Sequence, residues 1–363
     1  MALKIKTQEI DATVEKAIRE QFARIPFARL DALRREVPAG DHAHADYVGD
    51  LKVHEKPIQL VVEWKSEGHP QRVREAAGQL LHYLSHLKKG KEATYGILAA
   101  PFISETSAKI CSDAGIGYID LAGNARLSFG KVFIERRVTD ENPYRRRELH
   151  SLFSARATRV VRILLTGPLR TWKVQELAQS ARVSLGWVSQ VRKQLIAQEW
   201  ATADEAGLRI TQPSALLDAW ANKDQWQSRT TIRQYSPLLI DPREIATKVR
   251  DVLGDSRHAF TQWFAGWLRH PYTLPPIVTA YVEEFPDEET LEKKLLARRV
   301  DSGARLWLVK PRDEGVFAPA QVVDGFTLAP DVQIYLDLLQ AGLRGHEQAA
   351  ELRKPPDFAG GWS

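Results

Sequence analysis

In the stretch LVVEWKSEG, the run Leu60-Val61-Val62 passes without a break into Glu63-Trp64-Lys65. Three apolar residues in a row read as the body of a buried strand. An acid and a base two places apart then require the strand to end at a surface, because neither charge is stable in an apolar interior without a partner. Alternate strand residues share a face, so Glu63 and Lys65 point one way and Trp64 the other. The chain must therefore build a sheet that buries this strand and presents a carboxylate beside an ammonium at its end.

The surrounding residues supply the other elements of such a sheet. A helical region runs roughly from Gln8 to Arg35, broken or kinked at Pro26 and ended by Pro38, Ala39 and Gly40. Strand-like runs at 46–53 and 58–66 flank a turn at His54–Pro57. One hairpin register sets Asp50 opposite Glu63; another sets Asp46 opposite Lys65 and Val48 opposite Glu63. In either, carboxylates and an ammonium share one surface. Two carboxylates can hold Mg²⁺, and a nearby lysine can orient an attacking water or help deprotonate it. A helix after Pro70 carries Val73, Ala76, Ala77, Leu80, Leu81, Leu84 and Leu87. Residues 93–101 form a buried strand, 104–115 a capped helix ending in glycine, and 117–137 further strands. Within the last segment Asp120, Gly123 and Asn124 read as a tight strand–turn–strand. Asn124 and Arg126 are secondary candidates for contact with a DNA backbone.

An acid on the first hairpin strand, Glu63-x-Lys65 on the second, and Gln79 and Tyr83 on the following helix together resemble the PD-(D/E)xK nuclease superfamily and the Q-x-x-x-Y element of several of its branches. The order helix, hairpin, helix, strand, helix is similar as well. The resemblance implies a restriction-endonuclease-like domain in which Glu63 and Asp46 or Asp50 ligate Mg²⁺. Lys65 would assist the water, and Gln79 and Tyr83 would support the site or the phosphate. Some branches add an acid from the first helix, for which Glu15 and Glu20 are candidates. No Pro-Asp dipeptide occurs in this block, so the first acid stays open between Asp46 and Asp50.

The middle of the chain has a different order. One helix carries Val160, Val161, Ile163, Leu164 and Leu165, and a second buries Val174, Leu177 and Ala178. A turn at Arg182-Val183 leads to Ser184, an N-cap for a third helix whose Val188, Val191 and Leu195 face the core. Leu185, Gly186, Trp187, Ser189, Gln190 and Lys193 are left facing outward. A hairpin then turns at Asp204–Gly207. Helix, helix, turn, helix, hairpin is the winged helix-turn-helix arrangement, and ELAQSARVSLGWVSQVRKQL resembles such domains in bacterial transcription regulators. The third helix would lie in the major groove, with Gln190 and Lys193 reaching base edges or phosphates and Arg182 and Arg209 contacting phosphates. Residues 151–212 hold nine Lys/Arg and four Asp/Glu, a net +5 that equals the charge of the whole chain.

The last third reads as an α+β domain. LWLVKPRDEGVF, DVQIYLDLL and RGHEQAAELRK are similar to the C-terminal portion of antitoxins of AbiE-type (type IV) toxin–antitoxin systems. That resemblance implies a regulator with a toxin partner resembling nucleotidyltransferases. This chain lacks the Gly-Ser loop and paired aspartates of nucleotidyl transfer. Asp313 reads as a turn acid and Asp337 as an exposed helix residue, and His258 and His270 have no partners at metal spacing.

The fold class is thus α/β and α+β multidomain. Residues 1–137 form the nuclease-like domain, 138–150 a basic linker, 151–220 the winged helix, 221–354 the α+β domain and 355–363 a tail. Cys111 is the single cysteine, which excludes an internal disulfide framework and a multi-cysteine zinc site. No apolar run reaches the ~20 residues of a membrane span and no leader opens the chain, so a cytoplasmic protein without membrane contact is expected. The expected function is duplex DNA binding by a regulator or antitoxin-like factor, with a protein partner or a homodimer in view. The alternative is an Mg²⁺-dependent endonuclease targeted by the winged helix, and a third reading is a scaffold whose basic block meets another protein.

Overall fold

A computed structural model describes residues 7–38, 44–54, 56–87, 93–140, 142–144, 152–166, 170–342 and 344–361. Much of the expected linker, at 141 and 145–150, lies outside the described residues. The chain divides into two compact units, Met1–Glu148 with Ala197–Glu199, and Leu149–Ile196 with Trp200–Ser363. Among the described residues no helix is long and apolar enough to cross a membrane.

The first unit begins with α1 (Thr7–Ala23), β1 (Ala28–Pro38), β2 (His44–Val53) and β3 (Lys56–Trp64). It continues with α2 (Pro70–Leu87), β4 (Ala93–Ala100), α3 (Glu105–Asp113), β5 (Gly117–Asp120), β6 (Ala125–Phe129) and β7 (Val132–Arg136). All seven strands form one sheet in sequence order. The pairs β3–β4 and β4–β5 are parallel, and the others are antiparallel. Helices occupy the two parallel connections, because a parallel pair needs a crossover that a tight turn cannot supply. Val14, Ile18 and Phe22 of α1 pack with Tyr47, Leu60 and Val62 on one face of the sheet. Val73, Ala76 and Leu80 of α2 and Cys111 of α3 pack with Val48, Val61 and Leu98 on the other. Burial on both faces is why β3 and β4 are apolar almost throughout.

Read from the sequence, the first helix runs to Arg35; in the structure it stops at Ala23 and the remainder is β1. The ladder between β1 and β2 shifts between Leu30 and Ala32. This bulge brings Leu30 and Leu33 to the same apolar core, so a three-residue spacing that imitates a helix arises from a strand.

The second unit opens with α4 (Ala155–Leu165), α5 (Val174–Ala181), α6 (Leu185–Ala197) and the hairpin β8 (Ala201–Ala203) and β9 (Leu208–Ile210). Next come α7 (Pro213–Ala221), α8 (Trp226–Arg229), β10 (Thr230–Pro237), α9 (Pro242–Leu253), β11 (His258–Thr261), α10 (Gln262–Arg269) and β12 (Val278–Val282). It ends with α11 (Glu288–Leu295), β13 (Ala297–Arg299), β14 (Leu306–Pro311), β15 (Gln321–Val323), β16 (Phe326–Leu328), α12 (Asp331–Leu339) and α13 (Gly345–Arg353). The last seven strands form a mixed sheet in the order β13-β10-β14-β12-β11-β16-β15.

Val160, Leu177 and Leu195 share one apolar core with Phe260, Leu308 and Leu338. Arg159 pairs with Asp313 at 2.7 Å, and Arg162 donates to Gln333 at 2.8 Å. The boundary expected near residue 220 therefore falls inside a single compact unit. Asp313 accepts from the Gly315 N–H at 2.8 Å, as a turn acid does. Asp337 is not on an exposed helix face: it is 0% exposed, because α12 is buried on nearly every side. Its carboxylate accepts from Arg229 and Gln333, each at 2.6 Å, from Tyr281 at 2.8 Å and from Thr261. Burial pushes the Asp337 pKa up against the pull of the Arg229 guanidinium, and burial lowers that of Arg162 to about 10.

Removing one member of such a buried ionic network strands the others. Asp337→Ala should lower stability by about 3–5 kcal/mol, whereas Glu284→Ala, which breaks the exposed pair with Lys310, should cost about 1 kcal/mol or less. Urea denaturation midpoints of the two variants check the contrast.

Candidate functional site

The hairpin register decides which acid meets Glu63. Val53 pairs with Lys56 and Tyr47 with Val62, so two positions separate the paired strands. This register differs from both that the sequence allows. It sets Asp50 opposite Gln59 in the body of the hairpin, where Arg34 grips its carboxylate through two hydrogen bonds of 2.8 and 2.9 Å. Asp50 thus takes no part in the site. Asp46 does: its carboxylate accepts the backbone N–H of Trp64 at 2.7 Å, which ties it to the strand end that carries Glu63 and Lys65.

Glu63 is 5% exposed. Its Oε1 accepts from Lys65 Nζ at 2.7 Å, while Oε2 is buried with no hydrogen-bond partner. Lys65 Nζ also donates to Gln79 Oε1 at 2.9 Å, and the Lys65 backbone N–H donates to the Ala99 carbonyl at 2.9 Å. Burial pushes the Glu63 pKa above the ordinary value of 4.5; the Lys65 hydrogen bond opposes this, and the charge of Asp46 adds to it. Tyr83 on α2 is raised by its own burial first and then by the charges of Glu63 and Asp46, so it stays a neutral phenol. The structure therefore brings Asp46, Glu63, Lys65, Gln79 and Tyr83 together on the α2 face of the sheet. Glu15 and Glu20 are paired along α1 with Arg19 and Lys16, and the apolar stripe of α1 packs on the opposite face.

A buried carboxylate oxygen without a partner carries a desolvation cost of about 1–3 kcal/mol. A cation bound there would remove it. The donors are hard carboxylate oxygens, which suit Mg²⁺ rather than a softer metal. Among the described residues no group of three or more His, Cys, Asp or Glu converges, so Asp46 and Glu63 would supply the charged ligands alone.

Gly68, just past the Glu-x-Lys run, also holds the site in place. A Cβ there would lie 2.0 Å from the Phe102 carbonyl oxygen, so only glycine lets the chain leave β3 this closely. The Ser107 hydroxyl donates to its carbonyl at 2.8 Å. The signal in sequence is the Ser-Glu-Gly-His-Pro that follows Lys65. Asp120 and Asn124 form a closed structural turn: Asp120 accepts from the Ile103 N–H and from both the backbone and the side chain of Asn124. Asn124 is 0% exposed, so it is not available to a DNA backbone.

In the second unit Val188, Val191 and Leu195 face the core as their spacing predicts. Arg182, in the left-handed region at φ +51°, closes α5 and is exposed. Ser184, Lys193 and Arg209 are exposed and Gln190 half-buried. Trp187 is turned partly into the core instead of outward, because a large ring on a short helix finds apolar cover more readily than solvent. The hairpin is braced by Trp172, whose backbone bridges to Leu208, and Gly207 is required because a Cβ would meet the Trp172 carbonyl oxygen at 2.4 Å.

No protein-family model and no curated protein matches the chain. Among solved structures it is similar to a repair endonuclease from Pyrococcus abyssi at 22% identity, over 29% of this chain and 46% of that one, with a TM-score of 0.22. It is also similar to EndoMS in a complex with double-stranded DNA at 20% identity, over 30% of this chain and 44% of that one, with a TM-score of 0.22. The chain thus spans less than half the length of either neighbour.

The raised pKa of Glu63 has a stability consequence. The native state holds this proton more tightly than the unfolded chain, so stability falls as pH rises from 4.5 through the raised value and then levels. In metal-free protein, Glu63→Gln should remove that fall and gain on the wild type across the window. Thermal midpoints of both proteins measured against pH check it.

Proposed function

We propose that the protein binds duplex DNA and cleaves its phosphodiester backbone in an Mg²⁺-dependent reaction. The observation that carries this reading is the convergence of Asp46, Glu63, Lys65 and Gln79 at one strand end, with a carboxylate oxygen of Glu63 left unpartnered. Asp46 and Glu63 would hold the ion, which when bound supplies a Lewis acid and a water more easily deprotonated. Lys65, fixed between Glu63 and Gln79, would orient the attacking water. Tyr83, as a neutral phenol, would donate a hydrogen bond to a phosphate oxygen.

In this reading α4, α5, α6 and the β8–β9 hairpin act as a winged helix-turn-helix. Gln190 would read a base edge from α6, and Arg182, Ser184, Lys193 and Arg209 would contact phosphates. Trp187 would act as a packing residue. Of the basic residues of this block, Arg162 is buried and Arg159 is paired with Asp313, and the exposed Arg182, Lys193 and Arg209 support the assignment.

A second reading keeps DNA binding and drops cleavage: a regulator or antitoxin-like factor that uses its first unit for binding and its C-terminal part for a toxin, another partner or a second copy. It is favoured by the presence of only two converging acids among the described residues and by the engagement of Lys65 with Glu63.

Incubation of supercoiled and linear duplex DNA with Mg²⁺, Mn²⁺ or EDTA separates the two. Metal-dependent cleavage should be lost in Glu63→Ala and Asp46→Ala and kept in Asp50→Ala, with the mobility shift retained in all three. A shift without cleavage in the wild type would leave the regulator. The interface has its own test. Lys193→Ala and Arg209→Ala should each reduce the salt slope of binding by about 1, and Gln190→Ala should cost about 1–3 kcal/mol and relax sequence preference. Binding measured across a salt series reads both.

A further inference from the structure

Two histidines on α2 lie outside the constellation described above. His82 and His86 are four residues apart, the spacing that places two side chains on one helix face. Their Nε2 atoms are 3.2 Å apart, and the rings stand edge to face at 87° with centroids 4.4 Å apart. His82 is exposed and His86 half-buried. The contact is a hydrogen bond between the two rings.

The separation has a second meaning. A zinc–imidazole bond is about 2.0–2.1 Å long, so two of them at a tetrahedral angle place their nitrogens about 3.3–3.4 Å apart. The separation of the two Nε2 atoms is close to that value before any ion arrives, and the rings need only turn toward a common point. Histidines four apart on one helix face form a zinc-ligand pair wherever both ring nitrogens turn to a common point. Here Tyr83 follows His82 where a zinc peptidase would carry its glutamate base, so the pair brings no hydrolytic base with it.

We propose that His82 and His86 form a nitrogen-ligated metal site on α2 that takes Zn²⁺. It is distinct from the oxygen-donor site of Asp46 and Glu63, since imidazole selects Zn²⁺, Cu²⁺ or Ni²⁺ over Mg²⁺. No third His, Cys, Asp or Glu joins the pair among the described residues. The remaining coordination positions are therefore open to water or to an anionic oxygen donor, and the ion is exchangeable.

The test uses tag-free, metal-stripped full-length protein. Calorimetric titration with Zn²⁺ should show one site that is present in the wild type and in Glu63→Ala and lost in the double variant His82→Gln/His86→Gln. With Cu²⁺ as a probe, electron paramagnetic resonance should show coupling to two imidazole nitrogens in the wild type and to one in either single variant. Zn²⁺ should also protect both histidines from diethylpyrocarbonate in the wild type, read by mass spectrometry, a measurement that needs no variant to fold. Zn²⁺ binding unchanged in the double variant, or equal modification of His82 and His86 with and without Zn²⁺, would overturn the proposal. Loss of the site in Glu63→Ala would also overturn it, since the ion would then belong to the acid pair.

Discussion

The turn from Val53 to Lys56 fixes how β2 pairs with β3, and side-chain direction in a ladder has a period of two, so this pairing decides which acid stands beside Glu63. With Val53 paired to Lys56, Asp46 reaches the strand end and Asp50 is held by Arg34 in the middle of the hairpin. The rest of the site follows from that choice. Burying β3 on both faces strips water from Glu63, which raises its pKa and makes Lys65 its nearest compensating charge. α2 then delivers Gln79 to Lys65 and Tyr83 to the neighbourhood of both carboxylates.

The second unit answers to a different constraint, a charge network inside an apolar core. Buried Tyr281, Gln333 and Asp337 bind one another and the half-buried Arg229, and Arg162 joins α4 to the network through Gln333. Pairs of this kind add little net stability over an apolar core but are costly to break. They hold α4, the first helix of the basic block, in one geometry on α12. The polar side chains of α6 and the hairpin are thereby mounted on a scaffold larger than the block itself.

Much of this was legible in the sequence where local pattern and burial agree. β3 and β4 are apolar runs because both faces are covered, and α6 shows its core side through Val188, Val191 and Leu195. Strand alternation places Glu63 and Lys65 on one face without knowledge of the rest, whereas Gln79 and Tyr83 are singled out through the resemblance to the Q-x-x-x-Y element. Three features were not legible. The helix expected to reach Arg35 ends at Ala23, and β1, whose ladder shifts between Leu30 and Ala32, lacks the regular alternation that marks a strand. The two-residue turn carries no Asn-Gly or Asp-Gly, and His54 takes its positive φ of 46° without advertising it, so the register could not be read. Asp337 looked exposed because its partners come from β11, β12 and α8, far along the chain.

In the proposed function Asp46 and Glu63 hold the cation through oxygen donors and Asp50 does not. Binding of Mn²⁺, followed by electron paramagnetic resonance in the absence of DNA, tests it without depending on turnover. Mn²⁺ binding lost in Asp46→Asn and in Glu63→Gln and unchanged in Asp50→Asn is the expected result. Binding that survives Asp46→Asn, or that disappears in Asp50→Asn, would contradict it.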